Sequence, residues 1–175
     1  MARETSSPCS DLLGVIVLAF YKGHGRFFDR VIRWVTRSAF SHCEILRLQP
    51  AQADDAFEAR AWSSSGRDGG VREKVILFKP GNWEFVSVLW SDGEAVDRII
   101  AEIGNPYDYL GLIASQAFNL RRHRRDQWFC SEICGHALGL SAPQELSPGG
   151  LHCRVLEMNS AYCIGFEHAG EPPED

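Results

Sequence analysis

Near residue 91 the hydrophobic period of this chain changes. Upstream, apolar and alternating runs read as strands: "LLGVIVLAF" (12–20) as a buried one, "SHCEILRLQ" (41–49) as an alternating one and "AFEARAW" as its returning partner. "SSSGRDGG" (63–70) reads as a tight loop leading to "VREKVILF" and "WEFVSVLW", two strands parted by the turn "KPGN". One helix interrupts this series, "FFDRVIRWVTRS" (27–38), with Phe28, Val31, Ile32 and Val35 on one stripe and its arginines expected to face water. Downstream the period is helical. Ser91 and Glu94 have the spacing of a capping box, and Val96, Ile99, Ile100 and Ile103 form an apolar stripe that Gly104 and Pro106 end. "YDYLGLIASQAFNL" predicts a second helix, "RRHRRDQ" an exposed connection and "CSEICGHALGL" a third helix ended by Gly139. Strands gathered ahead of helices predict an α+β fold, a small antiparallel sheet packed against helices.

With 175 residues, 45% of them hydrophobic, the chain suits a single domain over 1–175 with a core from about 12 to 165 and flexible ends. Eighteen basic against 23 acidic residues give a net charge of −5, which supplies no general attraction for nucleic acid or an anionic surface. Six cysteines would pair in a secreted chain, but no secretory leader is seen, so reduced thiols and a cytoplasmic location are expected. The run 12–20 is too short to span a bilayer, and no transmembrane segment is expected.

Chemistry concentrates in "WFCSEICGHAL" (128–138), which places Cys130 where an extended stretch turns into a helix. The positive end of a helix dipole favours a thiolate, and the free N–H groups of the first turn are suited to hold an oxyanion. Cys134, one turn later among Ile133 and Leu138, reads as core. A base is offered by "SHCEI": on a strand, His42 and Glu44 share a face, so Glu44 can orient the ring that takes the thiol proton, while Cys43 points the other way.

Taken in order, "SHCEI", "SSSGRDGGVR", "GNPYDYLGL", "WFCSE" and "LSPGGL" resemble the circularly permuted papain-like cysteine hydrolases of the NlpC type, particularly the YiiX/YebB-like group. The resemblance covers roughly residues 12–151, with the histidine ahead of the cysteine as in the permuted branch. It implies a permuted papain-like fold with Cys130 as nucleophile and His42 as base. Glu44 is the third member of a Cys-His-Glu triad, with Glu58 in "FEAR" as the alternative carboxylate. Tyr107 and Tyr109 are similar to a tyrosine that lines such sites, and Asp68, with Arg67, is placed to meet polar groups of substrate. The implied activity is that of a cysteine peptidase or amidase cleaving an amide or peptide bond, including those of cell-wall peptides, through a thioester and without a cofactor. Related acyltransferases make acyl-lipid hydrolysis or acyl transfer the alternative, and a phage-associated or virion location is a further implication.

Two other readings are weaker. Cys130, Cys134, His136, His152 and Cys153 lack the paired spacings of a zinc site, so no metal is expected. "RRHRR" (121–125), with Arg33 and Arg37, would suit phosphate groups, but the whole-chain acidity and the absence of interleaved aromatics argue against nucleic acid. A non-enzymatic structural or assembly protein on the same fold is the alternative from another class. The oligomeric state is not legible.

Overall fold

β1, Val15–Tyr21, is the hub of the molecule: "VIVLAFY" is branched or aromatic at nearly every position, and Ile16 to Phe20 are buried on both faces. In this computed structural model, which describes residues 14–23, 25, 27–48, 56–91, 93–107 and 127–169, β1 lies between β2 (His42–Leu48) and β5 (Trp83–Ser87). β3 (Phe57–Ser65) and β4 (Gly70–Phe78) extend the sheet beyond β2, giving the order β4-β3-β2-β1-β5 with every neighbour antiparallel. The fold is mixed α+β, as the change of period predicts.

Alternation along the strands divides the side chains between two cores. Ile16, Leu18, Phe20, Cys43, Ile45, Trp62 and Val71 face the helices. These are α2 (Ala95–Ala101), α3 (Cys130–Ala137) and α4 (Pro148–Ala169), which contribute Val96 and Ile99, Ile133 and Cys134, and Leu151 and Val155. The opposite face holds a smaller cluster of Ala19, Leu46, Ala61 and Phe78 beneath half-buried aromatics. α1 (Phe27–Thr36) connects β1 to β2.

Several boundaries differ from the sequence reading. Ser63–Ser65 belong to β3 and Gly70 to β4, so the expected eight-residue loop shrinks to the turn 66–69. β5 stops at Ser87, short of the expected Trp90. Glu94, and not Ser91, occupies the cap position of α2, because the Ser91 hydroxyl is held within its own turn by the Gly93 N–H (3.4 Å). Only Val96 and Ile99 of the expected stripe are buried; Ile100 and Ile103 are 42% and 45% exposed, since one side of this short helix faces outward. α4 went unrecognised. Its start is a Ser147 hydroxyl accepting the Gly150 N–H (3.0 Å), with Pro148 in the first turn, but two glycines there hide the helical signal. The helix expected in "YDYLGLIASQAFNL" beyond Tyr107 and the connection "RRHRR" lie outside the described residues. Among the described residues, no helix is long and apolar enough to cross a membrane.

Candidate functional site

The site forms where the start of α3 meets the start of β2. Three contacts fix the approach of α3. The Ser64 hydroxyl of β3 donates to Trp128 O (2.6 Å), Trp128 N–H donates to Pro106 O (3.0 Å), and the Ser131 hydroxyl donates to Leu146 O (2.6 Å). Phe129 is extended, so Cys130 is the first helical residue, with the unbonded N–H groups of a first turn around it. The cysteine is only 3% exposed.

Its sulfur is hydrogen-bonded to the His42 ring, to the Cys43 backbone N–H and to the Cys43 thiol. The other side of the ring is already engaged, because His42 Nε2 lies 2.7 Å from Glu44 Oε1. That leaves Nδ1 for Cys130. Glu44 is fully buried (1% exposed) and receives both prongs of the Arg72 guanidinium, Nη2 to Oε1 at 2.6 Å and Nη1 to Oε2 at 2.7 Å. Arg72 Nε in turn donates to Asp68 Oδ2 (3.0 Å), whose other oxygen accepts from Lys74 Nζ (2.9 Å).

The register explains why Arg72 can reach Glu44 from two strands away. Arg72 is paired with Ser63, and continuing the pairing of Ile45 with Trp62 brings Glu44 opposite the same serine. Ser63 is small and turns its hydroxyl to Cys43 O (2.7 Å), leaving the guanidinium room to cross β3.

The charges follow from these contacts. Burial opposes ionisation of Glu44, but the hydrogen bonds of Arg72 and the adjacent His42 hold the carboxyl below its usual range. Burial likewise opposes charge on Arg72, and is outweighed by Glu44 and Asp68, which raise it. For His42 burial would lower the value from 6.5, yet the Glu44 carboxylate and the Cys130 sulfur push it up to about 10. The Cys130 thiol is held well below its ordinary value, first by the hydrogen bond from the Cys43 side chain, against burial, and then by the His42 cation. Cys43 itself is pushed up by burial and by its bonds to Cys130 and Cys134, so it stays a thiol and acts as donor. Both directions favour a thiolate on Cys130 beside an imidazolium on His42.

Thus Cys130, His42 and Glu44 come together. Glu58, the alternative carboxylate, points outward on β3, three residues beyond the pairing of Ala61 with Leu46. Asp68, expected at the substrate, is engaged by Arg72 and Lys74 and supports the carboxylate end of the series; its pKa is affected first by burial, which raises it, and is brought down to about 2 by those cations. Arg67 clasps Asp29 of α1 (2.9 Å), tying that helix to the same turn. Tyr107 is half-buried, with its N–H bonded to Gly69 O (3.1 Å) and a bridge to Trp128; Tyr109 lies outside the described residues. Sequence reasoning gave no role to Arg72, whose role depends on packing between strands, which residue spacing does not carry. Cys43 points into the helix-facing core, as the strand alternation predicts, and from that side its thiol acts on the Cys130 sulfur. No group of three potential metal ligands occurs among the described residues. A cleft of about 310 Å³ between Arg37–Phe40 and the start of α4 is lined by none of Cys130, His42 and Glu44.

No protein-family model matches the chain, and the comparison with curated proteins returned no match.

Proposed function

We propose that the protein is a cysteine hydrolase of the circularly permuted papain-like type, acting on amide or peptide bonds. The observation that carries this reading is the unbroken series Cys130–His42–Glu44–Arg72, in which a thiolate at a helix start faces an imidazolium whose other nitrogen is held by a locked carboxylate. The strand bearing the histidine precedes, and packs against, the helix bearing the cysteine, which fits the permuted order.

In this mechanism Cys130 attacks the acyl carbon without first losing a proton, because the proton already resides on His42. Electrons of the carbonyl move to its oxygen, where N–H groups of the first turn of α3 stabilise the charge. His42, 22% exposed and the solvent-facing member of the pair, then gives its Nδ1 proton to the leaving amine as the C–N bond breaks, producing a thioester. Neutral His42 next takes a proton from water, hydroxide attacks the thioester, and the acid leaves as the thiolate and imidazolium re-form. Glu44 fixes the ring throughout, and Arg72 fixes Glu44.

The test uses intact-mass spectrometry after incubation with N-acyl-peptide p-nitroanilides and, in parallel, p-nitrophenyl acyl esters. An acyl adduct on Cys130, with turnover lost in Cys130→Ala and His42→Ala, is the expected result. If no adduct forms and Cys130 alkylates no faster at mildly acidic pH than the exposed Cys153, the structural-protein reading replaces this one.

A further inference from the structure

Among the described residues, the outward side of α1 carries the most exposed of the large hydrophobic side chains. Trp34 is 81% exposed, and Val31, one turn back, is exposed as well (37%). Arg30 lies one turn before Trp34 on the same side of the helix, and Arg37, the first residue past the helix end, takes φ 49; both are exposed. Arg33 flanks the same side and spans to Lys22 O and Gly23 O (3.2 and 2.6 Å), which fixes the helix against the end of β1. The one acidic residue of the helix, Asp29, is buried and bonded to Ser41 and Arg67. An exposed face of one tryptophan, one valine and several arginines, with no carboxylate of its own, combines the two properties that favour the boundary of an anionic bilayer. Indoles settle at the headgroup level, and arginines meet lipid phosphates.

We infer that α1 docks the protein on an anionic lipid surface through Trp34, Val31, Arg30 and Arg37. A second copy of this chain fits less well, because a two-fold contact through this face would set the arginines of one protomer against those of the other. The net charge of −5 does not oppose the contact at short range. Screening limits each charge to about 10 Å at moderate salt, so the whole-chain sum does not set the field at the α1 arginines. The docked helix is also coupled to the site. Arg67 holds Asp29, the next residue, Asp68, holds Arg72, and Arg72 holds Glu44.

The experiment is flotation of the full chain with vesicles of phosphatidylcholine alone, or of equal parts phosphatidylcholine and phosphatidylglycerol. Binding to the mixed vesicles, weakened by salt, is expected, and either Trp34→Ala or the pair Arg30→Glu, Arg37→Glu should reduce it by about tenfold or more. Unchanged Cys130 alkylation in those variants verifies that they fold. Absence of vesicle binding, or binding that neither variant weakens, overturns the inference. So does light scattering that shows Trp34→Ala converting a dimer to a monomer, or binding of duplex DNA in place of vesicles. Cys130→Ala is expected to float like the unaltered chain. Flotation without any acyl-enzyme supports docking while the hydrolase reading fails, and acyl-enzyme without flotation does the reverse.

Discussion

Glu44 holds two cations at once, the His42 ring through Oε1 and the Arg72 fork through both oxygens, in a position almost closed to water. Glu44→Gln keeps the shape and removes the charge, leaving a buried guanidinium without its anion. The expected cost is about 3–5 kcal/mol in a urea melt, together with loss of turnover, whereas Glu58→Gln on the exposed end of β3 should stay within about 0.5 kcal/mol. The same contacts set a pH profile. His42 is raised from 6.5 to about 10, so the stability its proton contributes is complete below 6.5 and disappears as pH climbs through about 10. Cys130 is depressed, so the contribution of its thiolate is present above the ordinary thiol value of 9.0 and is lost as pH falls through the lowered one. Iodoacetamide labelling of Cys130, mapped by peptide mass, should therefore begin well below 9.0 and show a second inflection near 10, when the imidazolium discharges. Cys43→Ala should shift the first step upward by removing a donor to the thiolate, and a step left in place would show that Cys43 only fills space.

At the level of elements, the approach of residues 104–107 to the start of β4 decides whether α3 is held in place. Val71 N–H bonds to Asn105 O, Tyr107 N–H to Gly69 O, and Trp128 N–H then joins Pro106 O, so this segment links β4 to the lead-in of the Cys130 helix. Gly70 is required there, because a Cβ would collide with Asn105 O. Gly70→Ala should cost about 1–3 kcal/mol in chemical denaturation and lower the early labelling of Cys130. Strand positions were legible in "VIVLAFY" and "HCEILRL" because period two and branched side chains agree there. The extent of β3 was not, since Ser63, Ser64 and Ser65 have turn composition but are kept in the sheet by pairing with Arg72, Val71 and Gly70. The end of α3 was legible: Gly139 takes φ +71, the left-handed geometry that glycine adopts without cost. α4 was not, because Leu151 and Val155 declare a helix only after its glycine-rich first turn.

Over the whole molecule, the site draws on β2, β3, β4 and the start of α3, together with the turn 66–69, and no short fragment contains it. Loss of the early Cys130 labelling should accordingly coincide with loss of the far-ultraviolet circular dichroism signal in a urea titration. A labelling change at lower urea would mean that α3 detaches first. The residue types of the thiol, the imidazole and the carboxylate could be picked out from the sequence by their chemistry, whereas Arg72 could not, because its partnership with Glu44 exists only once three strands are in register over Ser63. Chain order adds a consequence for biosynthesis. His42, Glu44, Asp68 and Arg72 leave the ribosome before Cys130 does, and β1 to β4 are joined by pairings between consecutive strands. The cation, its carboxylate and the guanidinium behind it can assemble while the thiol is still in the exit tunnel, so a nascent chain has no reactive thiolate here until the pocket that shelters it has been made.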